Sequence, residues 1–168
     1  MSEKDASFRE FFEAEYRPLR RFGYLLTGDW SEAEDLTQDA LLRTYRAWSR
    51  IRDRERPGAY ARTVLVNRHR SVLRHLKIVR KHATDEVEAV RLLGEDGLVV
   101  WDALLRLPER QRAALALRYY EDLPEAEIAV ILDCPLGTVK SLIHRGLEKM
   151  RTQLEPTYDV AIARGDAS

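Results

Sequence analysis

Only one cysteine, Cys134, occurs in the 168 residues. No internal disulfide can form, and no Cys/His grouping has the spacing of zinc ligands. Packing alone must hold the chain together. Long apolar runs are missing too: Val64-Leu65-Val66 and Gly97-Leu98-Val99-Val100-Trp101 fall far below the roughly 20 residues that span a bilayer. The opening Met1-Ser2-Glu3-Lys4-Asp5 has none of the basic, apolar and small-residue parts of a secretory signal, so a cytoplasmic location is expected. Strand signals are scarce, and no Asn-Gly or Asp-Gly hairpin joins two alternating runs. Gly-rich phosphate loops, Gly-x-Ser-x-Gly elbows, His-Glu-x-x-His helices and Asp-rich metal loops are all lacking. Nothing therefore points to catalysis, a metal or a cofactor, and the chain is expected not to be an enzyme.

What is present is charge, and it is segregated. Lys+Arg and Asp+Glu each number 28, giving a net charge of zero, which as an average argues against a nucleic-acid partner. Residues 1–49 carry net −3, residues 50–82 carry net +9, residues 83–105 carry net −5 and residues 106–168 carry net −1. The basic segment, which also holds His69, His75 and His82, reads as a footprint for a polyanion or as a solvated helix face. With 45% hydrophobic and 33% charged residues the chain has the composition of a folded protein, not a disordered one.

The periodicity predicts an all-α chain, with helices over about 7–27, 31–49, 57–76, 99–106, 109–121, 125–132 and 138–153. Breaks fall at Thr27-Gly28-Asp29, Pro57-Gly58, Pro108, Pro124 and Pro135-Leu136-Gly137. Between Lys77 and Gly97 the composition turns from basic to acidic and ends in Gly94-Glu95-Asp96-Gly97, as a flexible linker between two small helical domains would. The expected organisation is a first domain over 1–78, a linker over 79–98, a second domain over 99–155 and a short tail over 156–168.

Four surfaces could carry function. On the helix from Ser31 to Ser49, Ala33, Thr37, Ala40, Leu41, Thr44 and Trp48 share a core face, while Asp35, Gln38, Asp39, Leu42 and Arg46 share the opposite one. A leucine among carboxylates and an amide suits a helix that docks on a basic partner helix; it also suits a solvated face with one stray apolar residue. Ser31 and Glu34 have the spacing of a capping box. The helix from Tyr60 to Leu76 buries Ala61, Leu65, Val72 and Leu76, with His69 on that side as a packed histidine. It turns Tyr60, Thr63, Asn67, Arg70, Ser71 and Arg74 outward, a set able to hold phosphates, read base edges and stack on a base. Between them, the alternating basic residues of Arg50 to Arg56 fit a loop around an extruded base, or simple solubility.

The last two helices flank Asp133-Cys134-Pro135-Leu136-Gly137, a break of the helix-turn-helix kind, though a plain helical hairpin has the same outline. Val139, Ile143, Gly146, Leu147 and Met150 are expected inward. Lys140, Ser141, His144, Glu148 and Arg151 are expected outward, with Arg145 on the flank; this is where such a motif enters the major groove. Ala113, Ala116, Leu117 and Tyr120 form the supporting face of the preceding helix. Cys134 reads as a small packing residue rather than a redox sensor.

In order along the chain, these surfaces resemble bacterial RNA polymerase sigma factors of the extracytoplasmic-function type, a group within the sigma-70 family, and among them the SigE-like family. The resemblance is carried by Tyr24-Leu25-Leu26-Thr27-Gly28-Asp29, by Ala33 through Tyr45, by Ala59 through Asn67, by Leu107-Pro108-Glu109-Arg110-Gln111-Arg112 and by Gly137-Thr138-Val139-Lys140-Ser141. It implies that Asp35, Gln38, Asp39 and Leu42 lie in region 2.2, which docks on the coiled coil of the polymerase β′ subunit. It further implies that Tyr60, Thr63, Asn67, Arg70, Ser71 and Arg74 lie in the regions that capture unpaired bases of the minus-ten element, and that Thr138, Lys140, Ser141, His144 and Arg145 read the minus-thirty-five duplex. The implied partners are core RNA polymerase, through β′ and the β flap, together with promoter DNA and, where inhibition exists, an anti-sigma protein. Ser71 and Leu142 depart from the residues common at their positions, so the preferred promoter cannot be copied from relatives. Two rival readings stay open here: a helix-turn-helix regulator acting on duplex DNA without polymerase, and an interaction module that titrates polymerase or an anti-sigma protein.

Overall fold

A computed structural model describes residues 3–51, 56–75 and 97–165, and all regular structure within them is helical. Three helices come first: α1 (Glu3–Thr27), α2 (Trp30–Ile51) and α3 (Pro57–His75). The second group comprises α4 (residues 97–105), α5 (Glu109–Leu115), a π-helical continuation over Ala116–Tyr120, α6 (Glu125–Ile131) and α7 (Leu136–Gly165). All seven expected helices are present among the described residues. The expected linker, 79–98, lies almost wholly outside them, as do Arg52 to Glu55 of the basic loop.

The first three helices form a bundle in which α2 lies between α1 and α3. All six residues expected on the α2 core face are buried. The two threonines among them, Thr37 and Thr44, satisfy their hydroxyls by donating to the carbonyls of Ala33 and Ala40 at 2.7 Å each. The turn from α1 into α2 runs through Gly28 at φ 73°, a left-handed conformation glycine adopts without steric cost. Here the structure corrects the capping-box reading. The helix starts at Trp30, the Asp29 carboxylate accepts the backbone N–H of Glu32 at 2.7 Å, and Ser31 already lies inside the helix. Glu34 is engaged elsewhere, accepting the Tyr16 hydroxyl at 2.6 Å and pairing with Arg20 at 2.8 Å.

In the second group, α5 and α6 pack on α7 around Leu115, Leu117, Ile128, Ile131, Leu132, Val139 and Ile143, all buried. Gly146 lets α7 approach α5 closely, since a Cβ there would sit 3.0 Å from Leu115 Cδ1. Two inward expectations fail. Tyr120 is 41% exposed and Leu147 is 43% exposed. The π-helical turn, closed by the Glu121 N–H on the Ala116 carbonyl at 3.0 Å, inserts an extra residue and rotates Tyr120 off the face that Ala113, Ala116 and Leu117 share. Leu147 lies beside Tyr119 and Tyr120 along an apolar groove instead of in the core. The helix expected to stop at residue 153 continues through Pro156 to Gly165, so most of the expected tail is helical.

One buried cluster runs through both groups. At their junction Tyr24 is sandwiched between Trp30, at 3.9 Å between ring centroids, and Trp101 of α4, at 4.9 Å, all nearly parallel.

Candidate polymerase and nucleic-acid interfaces

The outward face of α2 carries the expected set. Asp35 and Gln38 are exposed, Leu42 is 48% exposed and Asp39 is half-buried. Gln38 donates to Glu34 at 3.0 Å, while Asp39 accepts from Arg43 at 3.0 Å and faces Arg68 of α3 at 3.5 Å. Leu42 does not stand alone. With Leu41 and Tyr45 it borders a cleft whose other wall is Phe8, Phe12 and Tyr16 of α1, so the stray leucine belongs to an apolar strip rimmed by carboxylates. The α1 wall escaped the sequence reading, although Phe8, Phe12 and Tyr16 recur at i, i+4, i+8 and could have signalled it. The Tyr16 hydroxyl, then Gln38 and Arg20, hold the Glu34 carboxyl below the usual glutamate range, which keeps that rim anionic.

On α3, Ala61, Leu65 and His69 are buried as expected, with His69 wholly enclosed and its Nδ1 3.6 Å from Glu32. Val72 is only half-buried, and Leu76, expected on the same face, lies outside the described residues. Asn67 and Arg74 are exposed, and Tyr60, Thr63, Arg70 and Ser71 are half-buried. Asn67 and Ser71 come together in a small pocket completed by Val64, Arg68 and Arg43. Of these, Arg43 reaches the pocket from α2, which no single-helix wheel shows. Thr63 donates its hydroxyl to the Ala59 carbonyl at 2.9 Å, leaving it an acceptor towards any base. Arg70 points towards Glu109 at 3.9 Å.

Between α6 and α7 the chain turns through Asp133 at φ 47°. The Pro135 carbonyl then accepts Thr138 and Val139 N–H at 2.9 and 3.2 Å, opening α7 two residues earlier than expected. Arg110 braces the turn by donating to the Leu132 carbonyl at 3.2 Å. Lys140, Ser141, His144 and Arg145 are exposed and Thr138 is half-buried, while Val139 and Ile143 anchor the helix beneath them. His144 lies 3.4 Å from Glu148 one turn on. Cys134 is half-buried against the core.

A helical bundle with an amphipathic α2 face and a basic α3, followed by a helix-turn-helix whose second helix opens on an exposed polar and basic stretch, has the outline of a DNA-binding protein. Comparison with known proteins agrees in both halves. The sigma-70 region 2 family matches residues 11–79 and the sigma-70 region 4 family matches residues 98–150. The chain is 32% identical over 152 residues to the RNA polymerase sigma-E factor of Streptomyces avermitilis, covering 88% of this chain and 85% of that one. It is 31% identical over 164 residues to the ECF RNA polymerase sigma factor SigL of Mycobacterium tuberculosis, covering 89% and 90%. Its fold is similar to that of the sigma factor RpoE from Bartonella quintana, solved with the anti-sigma factor NepR, at a TM-score of 0.73 and 23% identity, covering 89% of this chain and 97% of that one. The chain belongs to the extracytoplasmic-function sigma factors, the promoter-recognising subunits of bacterial RNA polymerase. Its relatives are transcription initiation factors rather than enzymes.

Proposed function

We propose that the chain docks on core polymerase through the outward face of α2 and the adjoining α1 cleft, holds unpaired minus-ten bases on α3, and reads the minus-thirty-five duplex with the first half of α7. In this reading residues 1–78 form region 2, 79–98 the linker, 99–155 region 4 and 156–168 a tail. The observation that carries it is the pairing of an apolar strip, Leu42 with Phe12, with a carboxylate rim, because that combination is what a basic amphipathic helix would cover. Capturing a base must offset unstacking of a few kcal/mol. Stacking on an aromatic ring such as Tyr60 returns about 1–3 kcal/mol, so melting needs polymerase to hold both partners. The chain acts in the cytoplasm, supplies no catalytic group of its own, and is held in check by an anti-sigma protein where inhibition exists.

The test is Asp35→Lys. The exposed carboxylate becomes a cation facing a basic partner, so reconstituted transcription should be lost while helicity and thermal unfolding stay unchanged. Normal transcription by that variant would remove α2 as the docking face.

A further inference from the structure

Val100, Tyr119, Tyr120 and Leu147 are large apolar residues left 39–62% exposed, and all four border one groove. Apolar residues gathered in a patch on a soluble protein mark a binding site, whereas single scattered ones do not. The groove is floored by buried residues from four elements: Leu25 of α1, Trp101 of α4, Leu115 of α5 and Met150 of α7. Its volume of about 500 Å³ lies within the roughly 300–1,000 Å³ of small-molecule pockets. We infer that it binds an amphipathic monocarboxylate of the fatty-acid class, with the chain laid against Leu25, Trp101 and Leu147 and the carboxylate held at Arg21 and Tyr120. The site does not depend on what α3 and α7 bind.

The polar groups at the groove set the chemistry of its ligand. Arg21 is exposed and stands one turn before Leu25 on the same face of α1. Its guanidinium donates to the Tyr120 hydroxyl. Burial pushes that hydroxyl above its ordinary pKa, with Arg21 opposing, so Tyr120 keeps its proton at neutral pH and can give it to an acceptor. The Trp101 indole Nε1 is buried with no hydrogen-bond partner among the described residues, and a buried donor left unmet is costly. Arginine and indole can only donate. No carboxylate lines the groove, and Glu121, next to Tyr120, is already engaged by Arg62. A groove walled by apolar carbon whose polar groups donate calls for an apolar body ending in an anionic acceptor. A partner helix laid apolar face down would cover the carbon yet leave these donors unmet, and a neutral hydrocarbon would do the same.

The experiment uses the full chain and the fluorescent fatty acid cis-parinarate, displaced by dodecanoate or by dodecanol, which has the same chain and no charge. Parinarate fluorescence should rise and saturate at a single site per chain. Dodecanoate should displace it about tenfold more tightly than dodecanol, the difference that a hydrogen-bonded charge makes. Saturating dodecanoate should also raise the thermal midpoint, because only the folded chain has the groove. Arg21→Gln should remove the preference by weakening dodecanoate about tenfold while leaving dodecanol unchanged. Arg17→Gln, an exposed position one turn earlier on α1, should alter neither. Leu147→Trp, which fills the groove from an exposed position, should abolish binding of both with helicity retained. Equal affinity of the parent for dodecanoate and dodecanol, or an Arg21→Gln variant that binds dodecanoate as the parent does, would overturn the carboxylate assignment. Absence of parinarate binding by the parent would overturn the site, and a concentration-dependent dimer broken by Leu147→Trp would then give the groove to a second copy of the chain.

Discussion

At Gly23 a single hydrogen sets how closely α1 and α2 approach. A Cβ there would lie 3.3 Å from the Ala33 Cα, Cβ and carbonyl oxygen, and two of those atoms are backbone that cannot rotate away. Gly23→Ala gains about 0.5–1 kcal/mol of helix preference but overpacks the crossing at about 1–3 kcal/mol. It should lower stability by about 1 kcal/mol and the melting temperature by a few degrees; a rise in the calorimetric midpoint would contradict the crossing. Tyr16 and Glu34 give a second residue-level prediction. The Tyr16 hydroxyl is the largest influence holding the Glu34 carboxyl below its ordinary value. A lowered folded-state pKa contributes stability above the unfolded value, about 4.3, and loses it as pH falls through the folded one. Tyr16→Phe should therefore be less stable than the parent to urea at neutral pH, and the gap should narrow steadily below pH 4. A gap independent of pH would mean that the ring, not the hydroxyl, matters. Much at this scale was legible in the sequence: the buried threonines of α2, His69 on the core side of α3, and Leu42 on the surface all follow from a 100° period. Glu34, Arg43 and Leu147 did not, because their roles are set by atoms on another helix.

Among the elements, α5 and α7 show most clearly where periodic reasoning fails. One extra residue in the π-helical turn shifts everything after Leu117 off the pattern, and such a turn carries no strong composition signal. Pro156 reads as a stop, yet α7 passes through it, as α1 passes through Pro18, each giving up one backbone donor. The first half of α7 follows its pattern closely: Val139 and Ile143 are buried while Lys140, Ser141, His144 and Arg145 are exposed. If Lys140 and Arg145 hold phosphates of the minus-thirty-five duplex, replacing either by Ala should weaken binding of holoenzyme to that element. The slope of log affinity against log salt should fall by about 0.9 per lost contact. An unchanged isotherm and slope would move duplex contact away from this face.

For the whole molecule, a net charge of zero conceals the feature that matters. The excess of positive charge between residues 50 and 82 was visible in the sequence, and so was the compensating acidity downstream. What the sequence could not show is that Glu109, Glu121 and Glu127 are brought onto the arginines at and beside α3, because those pairs span 39 to 71 positions along the chain. The two helical groups meet through these ion pairs, through the stack of Tyr24 on Trp101 and through one shared buried cluster. The central claim is that both groups act together on one promoter. It is tested most directly by run-off transcription from fragmented genomic DNA, with sigma-free core polymerase plus this protein, reading RNA start points by sequencing. The account predicts new starts that share two upstream elements at a fixed separation. Co-purification with polymerase but no new starts would contradict it and leave a module that titrates polymerase.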